Sequence, residues 1–311
     1  MSNAKLRIPL DIAAAHAKVR EVLFKLQSSH GLNIEQFQPI AQGGQSVIFA
    51  YIANNTTTLL KVPNYATRPH CQHWVLERDI AKESKLLETV KCWAVPRFID
   101  GDESGTYILR EMVEGVELSS YINTAEFTAD KKQHLLIASL ASTTHCLFKA
   151  FHNNRLECFS IRDYKPRNVI IEKQTKRLRL IDVGSARPER DMVSTNARHY
   201  RLGSGKFLFW APEQLMAKKE FCNRSVDYFS FGVMVYYLLY KEMPYTNSEN
   251  EPSAALTVYL QEYEDVLSNM MKHDGNCSLR PEALTFVRQC LHPDAKWRPT
   301  QFDEEVVELF R

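Results

Sequence analysis

Apolar positions along the chain change their period near residue 35. Over residues 11–29, Ile12, Val19, Leu23 and Leu26 recur at helical spacing, while Lys18, Arg20, Glu21 and Lys25 face elsewhere and Gly31 supplies a stop. This pattern predicts an amphipathic helix. Such a helix is marginal alone in water, so it is expected to dock on the body of the protein. Phe37 to Ile40, Ser46 to Ile52 and Thr57 to Val62 are rich in β-branched and aromatic residues, with Asn54-Asn55 where a tight hairpin turn belongs. A helical segment over 72–90 and two short strands over 96–100 and 106–112 complete a small antiparallel sheet with one helix. From about residue 116 the pattern is mainly helical, with long candidates at 130–152, 226–241 and 281–292. Strands first and helices later predict an α+β fold, a small β-rich lobe followed by a larger α-rich one.

Composition narrows the class of protein without naming its chemistry. The 311 residues have room for about two domains or lobes. With 44% hydrophobic and 24% charged residues the chain is globular rather than a disordered tail. A net charge of +2 gives no support to nucleic acid or an anionic membrane as the main partner. The longest apolar stretch, Phe229 to Tyr240, is too short for a bilayer and is broken by Ser230 and Gly232, so no transmembrane segment is expected. The seven cysteines are scattered and never form C-x-x-C, as expected of a reduced, cytoplasmic chain. His70, Cys71 and His73 cluster and raise a metal reading, although a tight zinc site needs four ligands and no second cluster is evident.

The candidate chemistry lies in an ordered series of motifs. Arg162-Asp163-Tyr164-Lys165-Pro166-Arg167-Asn168 resembles the protein kinase catalytic loop H-R-D-L-K-x-x-N, with Ile161 in place of His. Asp182-Val183-Gly184 is similar to D-F-G, Ala211-Pro212-Glu213 matches A-P-E, and Leu59-Leu60-Lys61 resembles V-A-I-K. Any one of these is weak, but their order and predicted structural context make the set specific over about residues 36 to 302. The resemblance implies a bilobal kinase-like fold with an accessory helix to residue 34, a small lobe over 35–112 and a large lobe over 113–311. The site would take residues from both lobes.

Phosphoryl transfer asks a protein mainly to position two oxygens and neutralise spreading negative charge. By resemblance, Asp163 orients the attacking hydroxyl and Lys165 reaches the transferring phosphate, a pairing usual for Ser/Thr kinases. Asn168 and Asp182 supply oxygen ligands suited to Mg2+. Lys61 holds the α and β phosphates of ATP and is fixed by a helix carboxylate, with Glu83 the first candidate and Glu77 and Glu88 its rivals. The segment from Ile40 through Gly43, Gly44 and Ser46 to Ile48 takes the place of the glycine-rich loop but keeps only the middle glycine of the family pattern. Backbone groups of Glu111 and Val113 would meet the adenine edge. Arg110 then falls at the back of the nucleotide pocket, where a buried Arg needs a carboxylate; either the pocket is unusual or the register is shifted by one.

Two further likenesses are structural. Asp227 with Phe229-Ser230-Phe231-Gly232-Val233 resembles the central helix motif of the large lobe, and Arg298-Pro299-Thr300 resembles the terminal R-P-T, predicting a buried Glu213–Arg298 ion pair. Ile161, Val183 and Leu87 are expected in an apolar column. Ser194, Thr195, Tyr200 and Ser204 are candidate phosphorylation sites in the segment from Asp182 to Glu213, with Arg162 as the cation for a phosphate there. The implied function is ATP- and Mg2+-dependent transfer to Ser/Thr hydroxyls of a protein substrate. A pseudokinase scaffold and a small-molecule kinase are the alternatives, the first favoured by the irregular loop and Arg110, the second weakened by Ala211-Pro212-Glu213 and Arg298. The sequence carries no signal of oligomeric state.

Overall fold

The computed structural model describes residues 16–53, 56–67, 70–129, 133–156, 159–188, 208–216, 224–245, 255–273 and 279–311. The chain divides into two compact units, Met1–Val113 and Glu114–Arg311. In the first, α1 (Ala17–His30) precedes β1 (Phe37–Gln42), β2 (Ser46–Ala53), β3 (Thr56–Pro63), α2 (His73–Thr89), β4 (Phe98–Gly101) and β5 (Ile108–Glu111). The five strands form one antiparallel sheet in the order β1-β2-β3-β5-β4. β2 and β3 pair from Ser46–Pro63 to Ala53–Thr56; the Asn54-Asn55 turn between them lies outside the described residues.

α1 ends at Gly31, whose φ of 65° is a left-handed conformation that glycine adopts without steric cost. Its buried stripe, Val19, Val22, Leu23 and Leu26, shares one core with Ile34, Phe37, Phe49, Leu60, Val62, Tyr107 and Leu109. The helix is therefore a packed layer of this unit, gaining roughly 1.5–3 kcal/mol for each fully buried aliphatic side chain. In α2 the buried face runs through Leu76, Ile80, Glu83 and Leu87, a helical stripe with one carboxylate in it.

The second unit opens with β6 (Gly115–Glu117), α3 (Leu118–Ile122), α4 (Ala125–Ala129) and α5 (Gln133–Asn153). It continues with β7 (Phe159–Ser160), β8 (Val169–Glu172), β9 (Leu178–Leu180) and β10 (Arg187–Pro188). α6 (Pro212–Leu215), α7 (Ser225–Tyr240), α8 (Ala255–His273), α9 (Pro281–Cys290) and α10 (Glu304–Leu309) complete it. The expectation of a mainly helical region holds for its long elements but misses two small sheets, β6-β8-β9 and β10-β7. The apolar run Phe229 to Tyr240 belongs to α7, which is buried at nearly every position from Ser225 to Tyr236. Its Gly232 lies so close to α9 that an added Cβ would stand 2.9 Å from the Cys290 Cβ. No helix among the described residues is long and apolar enough to cross a membrane.

Candidate active site

In the first unit the sheet register sets the candidate nucleotide residues. β3 places Lys61 opposite Ile48 of β2 and Ile108 of β5. Its Nζ donates to Glu83 Oε2 at 2.6 Å, and the two side chains are only 7% and 2% exposed. Of the three carboxylates that could fix Lys61, Glu83 is the one it reaches. Glu77 accepts instead from Lys18 and Tyr65, and Glu88 from the exposed Lys85. A carboxylate in an apolar helix stripe needs such a cation, because an uncompensated buried charge is strongly destabilising. Arg110, 3% exposed, stands opposite Leu59 in the β3–β5 ladder. Cross-strand partners share a face, and Leu59 and Lys61 alternate onto the same one, so Arg110 and Lys61 share a face of the sheet.

Ile40 falls at a bulge between the Pro39–Phe49 and Ala41–Ile48 pairs and is 37% exposed. Gly43 and Gly44 form the exposed hairpin tip, closed by a 2.8 Å bond from Gly43 N–H to Ser46 O. A Cβ built on Gly44 meets nothing within 4 Å, so the backbone there is open to close approach by a phosphate. At the end of β5, Glu111 N–H donates to Arg97 O at 2.9 Å and its carboxylate accepts from Arg97 N–H at 2.9 Å. Val113, two residues on, is buried.

In the second unit the segment from β7 to β10 carries the second group. Arg162 has φ 66°, a strained conformation for a non-glycine residue. Its peptide is held from both sides. The N–H groups of Ile161 and Arg162 donate to the Asp227 carboxylate at 2.7 and 2.8 Å, and Gln214 Nε2 donates to Arg162 O at 3.0 Å. Gln214 Oε1 also accepts from Ala211 N–H, capping α6. Burial pushes the Asp227 carboxyl up to about 6, against the lowering effect of those two backbone N–H groups.

Beyond this kink Lys165 Nζ contacts both carboxylate oxygens of Asp163 at 2.6 and 2.7 Å. Asn168 Nδ2 donates to Asp163 O at 2.8 Å and Oδ2 at 3.0 Å, which directs its Oδ1 away from Asp163. The β8–β9 hairpin then brings Asn168 beside the strand leading to Asp182: Val169 pairs with Leu180, and Ile181 N–H donates to Asn168 O at 2.8 Å. Asp182 Oδ1 accepts from Gly184 N–H at 2.9 Å. An amide oxygen and a carboxylate at one end of a hairpin are a donor set that fits Mg2+, which takes few protein ligands and keeps water and phosphate oxygens. Among the described residues no three His, Cys, Asp or Glu side chains converge on a metal site, so His70, Cys71 and His73 do not form one. Ile161 and Val183 are buried, as is Leu87 in the first unit.

The predicted Glu213–Arg298 pair forms as a two-pronged contact of 2.6 and 3.0 Å. Arg298 also donates to His292 O, Pro293 O and Ser225 O, so all five guanidinium N–H groups have acceptors. Ser194, Thr195, Tyr200 and Ser204 lie outside the described residues. Three residues with clear structural roles escaped the motifs: Gln214, and Asn64 and Thr67, whose side chains donate to the carbonyls of Gly43 and Gly44 at 2.7 Å each. Each is a single polar residue in no pattern, so nothing local marks it.

Residues 34–308 match the family described as protein kinase domain. Among similar proteins, the protein kinase and PP2C-like domain-containing protein of Arabidopsis thaliana is 24% identical over 87% of this chain. The serine/threonine-protein kinase pkn2 of Myxococcus xanthus is 26% identical over 79% of the chain. The mitogen-activated protein kinase kinase kinase dlk-1 of Caenorhabditis elegans is 29% identical over 86%. The chain spans 42%, 30% and 25% of the lengths of these relatives.

Proposed function

Because the chain belongs to the protein kinase domain family, we propose that it transfers the γ-phosphate of ATP, with Mg2+, to Ser or Thr hydroxyls of protein substrates, its own activation segment among them. The observation that carries this reading is the retention of Lys61, Asp163, Asn168 and Asp182 together, three of them in side-chain contacts that suit the chemistry. Asn168 and Asp182 would hold Mg2+, which would supply positive charge to the nucleotide phosphates. Asp163 orients the attacking hydroxyl and takes its proton as the new P–O bond forms and the bond from the γ-phosphorus to the β,γ-bridging oxygen breaks, with ADP leaving on that oxygen. Lys165, already against Asp163, offers its ammonium to the transferring phosphate. Lys61, braced by Glu83, holds the α and β phosphates, while backbone groups of Glu111 and Val113 bind adenine and the hairpin from Ile40 to Ile48 covers the phosphates. Preference for Ser and Thr rests on Lys165 and on serine/threonine kinases such as pkn2 among the relatives. In this reading residues 35–112 are the small lobe, 113–311 the large lobe and 1–34 an accessory helix. Cys71, Cys92, Cys146 and Cys290 form no disulfide, which suits a reduced, cytoplasmic setting.

The test is transfer of labelled phosphate from ATP to a generic basic protein by the wild type, Asp163→Ala and Asp182→Ala. Transfer by the wild type that is lost in both variants is expected; equal label in all three overturns the enzyme reading. In parallel, nucleotide at 100 times its dissociation constant should stabilise the wild type by roughly 2.7 kcal/mol. That stabilisation without any transfer identifies a nucleotide-binding scaffold instead. Mass spectrometry of the segment from Asp182 to Glu213 after incubation with Mg2+ and ATP tests self-phosphorylation.

A further inference from the structure

The β1–β2 hairpin lacks two of the glycines expected in a loop that wraps phosphate, yet its tip is held from outside the hairpin. Asn64, 3% exposed, sends Nδ2 to Gly43 O at 2.7 Å, and its own N–H donates to Gln45 O at 2.9 Å. Thr67 Oγ1 lies 2.7 Å from Gly44 O and 2.8 Å from Asn64 O and shares its one proton between them. Three consecutive carbonyls of the tip are thus bound by the turn that follows β3.

That turn is itself fixed between its two donors. Tyr65 is 5% exposed; its hydroxyl donates to Glu77 Oε1 at 3.0 Å, and its carbonyl meets His73 Nε2 at 3.1 Å. The His16 ring, at the start of α1, stacks on it at 4.5 Å, and Lys18 shares Glu77. The clamp therefore rests on α2 and on α1 together.

From this geometry we infer that Asn64 and Thr67 are positioning residues of the phosphate loop, doing by side-chain anchoring part of what extra glycines do elsewhere by backbone freedom. In a planar trans peptide the C=O and the following N–H point opposite ways. Binding the carbonyls of Gly43 and Gly44 on the Asn64–Thr67 side turns the N–H groups of Gly44 and Gln45 to the other side. Carbonyl oxygens, which repel phosphate, are withdrawn, and donors are presented without an ordering cost at the moment of binding. The ligand is the phosphate chain of a nucleotide, so this role rests on the kinase reading, whereas the clamp itself does not.

The experiment uses the full chain with Thr67→Val, Thr67→Ser and Asn64→Ala. Thr67 is exposed, so Thr67→Val removes the hydroxyl with little risk to folding. Amide hydrogen exchange over residues 43–46, measured without nucleotide, reads the clamp. Faster exchange is expected in Thr67→Val and Asn64→Ala, with wild-type exchange in Thr67→Ser. Calorimetric binding of Mg-ADP should weaken roughly threefold to tenfold in Thr67→Val and Asn64→Ala, the effect of losing one hydrogen bond, and recover in Thr67→Ser. Unchanged exchange in both variants overturns the clamp. Faster exchange with undiminished nucleotide affinity overturns its role in positioning. A wild type that binds no nucleotide, with the exchange pattern as expected, overturns the kinase reading and the positioning role while leaving the clamp in place.

Discussion

Two buried ion pairs of nearly identical contact distance divide the labour in this protein. Lys61–Glu83 joins β3 to α2 at 2.6 Å, and Arg298–Glu213 ties the segment before α10 to α6 at 2.6 Å. The cations differ in kind. Arg298 is a planar fork whose five donors all end on acceptors: two carboxylate oxygens and three backbone carbonyls. Lys61 is a compact point charge on a flexible four-carbon stem, with no fixed fork geometry to satisfy. A fully committed Arg builds structure, and a Lys whose charge can be redirected suits phosphate. The first prediction attacks the Arg. Arg298→Ala removes the two-pronged cation from buried Glu213 and a donor from each of three backbone carbonyls, and it should cost about 3–5 kcal/mol of stability in urea denaturation. A loss below about 1 kcal/mol would place this pair with the weak surface bridges and remove the contrast.

Lys61→Met sharpens the comparison from the other side. It removes the cation bonded to Glu83, and a buried carboxylate can offset that loss by taking up a proton, so its stability cost should fall well below that of Arg298→Ala. Its effect on phosphoryl transfer should be larger, about 100-fold to 1000-fold in kcat, the usual loss when one donor to a developing charge is removed. Equal stability losses in the two variants with unimpaired transfer in Lys61→Met would mean that both pairs are structural.

The difference between the pairs also explains what was legible in the sequence. Glu213 and Arg298 stand in short motifs far apart in the chain, and their pairing is what the resemblance of those motifs to A-P-E and R-P-T implies. Lys61 was equally visible, but its partner was not unique until the β3–β5 register and the α2 stripe showed Glu77 and Glu88 facing other cations. β2 and β3 were readable because each is eight residues rich in β-branched or aromatic side chains, and the shorter β1, β4 and β5 each carry a β-branched residue beside a further apolar one. The two-residue β7 and β10 and three-residue β6 and β9 are too short for any alternation to show. α8 went unread although its deeply buried residues, Tyr259, Val266 and Met270, follow one another at the helical spacings of seven and four. Asn64, Thr67 and Gln214 act through bonds to backbone brought near by folding, and no local pattern announces that.

Asp227 is a third buried carboxylate, held by backbone N–H groups at 2.7 and 2.8 Å rather than by a two-pronged Arg. Its folded value, raised by burial to about 6, lies above the unfolded value near 3.9, so the group contributes stability fully below about pH 4 and loses it as pH rises through 6. Measured by urea denaturation, the stability cost of Asp227→Asn should therefore be greater at pH 4 than at pH 7, by roughly 2–3 kcal/mol. A cost that does not vary with pH would show that the backbone bonds offset the desolvation, as a cation does for Glu213.

The smallest expected effect belongs to Gln214, which couples the structural pair to the loop that carries Asp163. It sits beside Glu213 in α6, caps that helix through Ala211 N–H, and donates to the carbonyl of the strained Arg162. The neighbouring Asp163 inherits its position from that peptide. Gln214→Leu keeps the volume and removes both bonds, so it should lower kcat about threefold to tenfold, the equivalent of about one hydrogen bond. KM for ATP should stay unchanged, because Lys61 and the β1–β2 hairpin are untouched. Gln214→Glu preserves the cap but cannot donate to Arg162, and it should lose kcat to a similar extent. If Gln214→Glu retained full kcat while Gln214→Leu did not, the helix cap rather than the Arg162 carbonyl would be what the catalytic loop depends on.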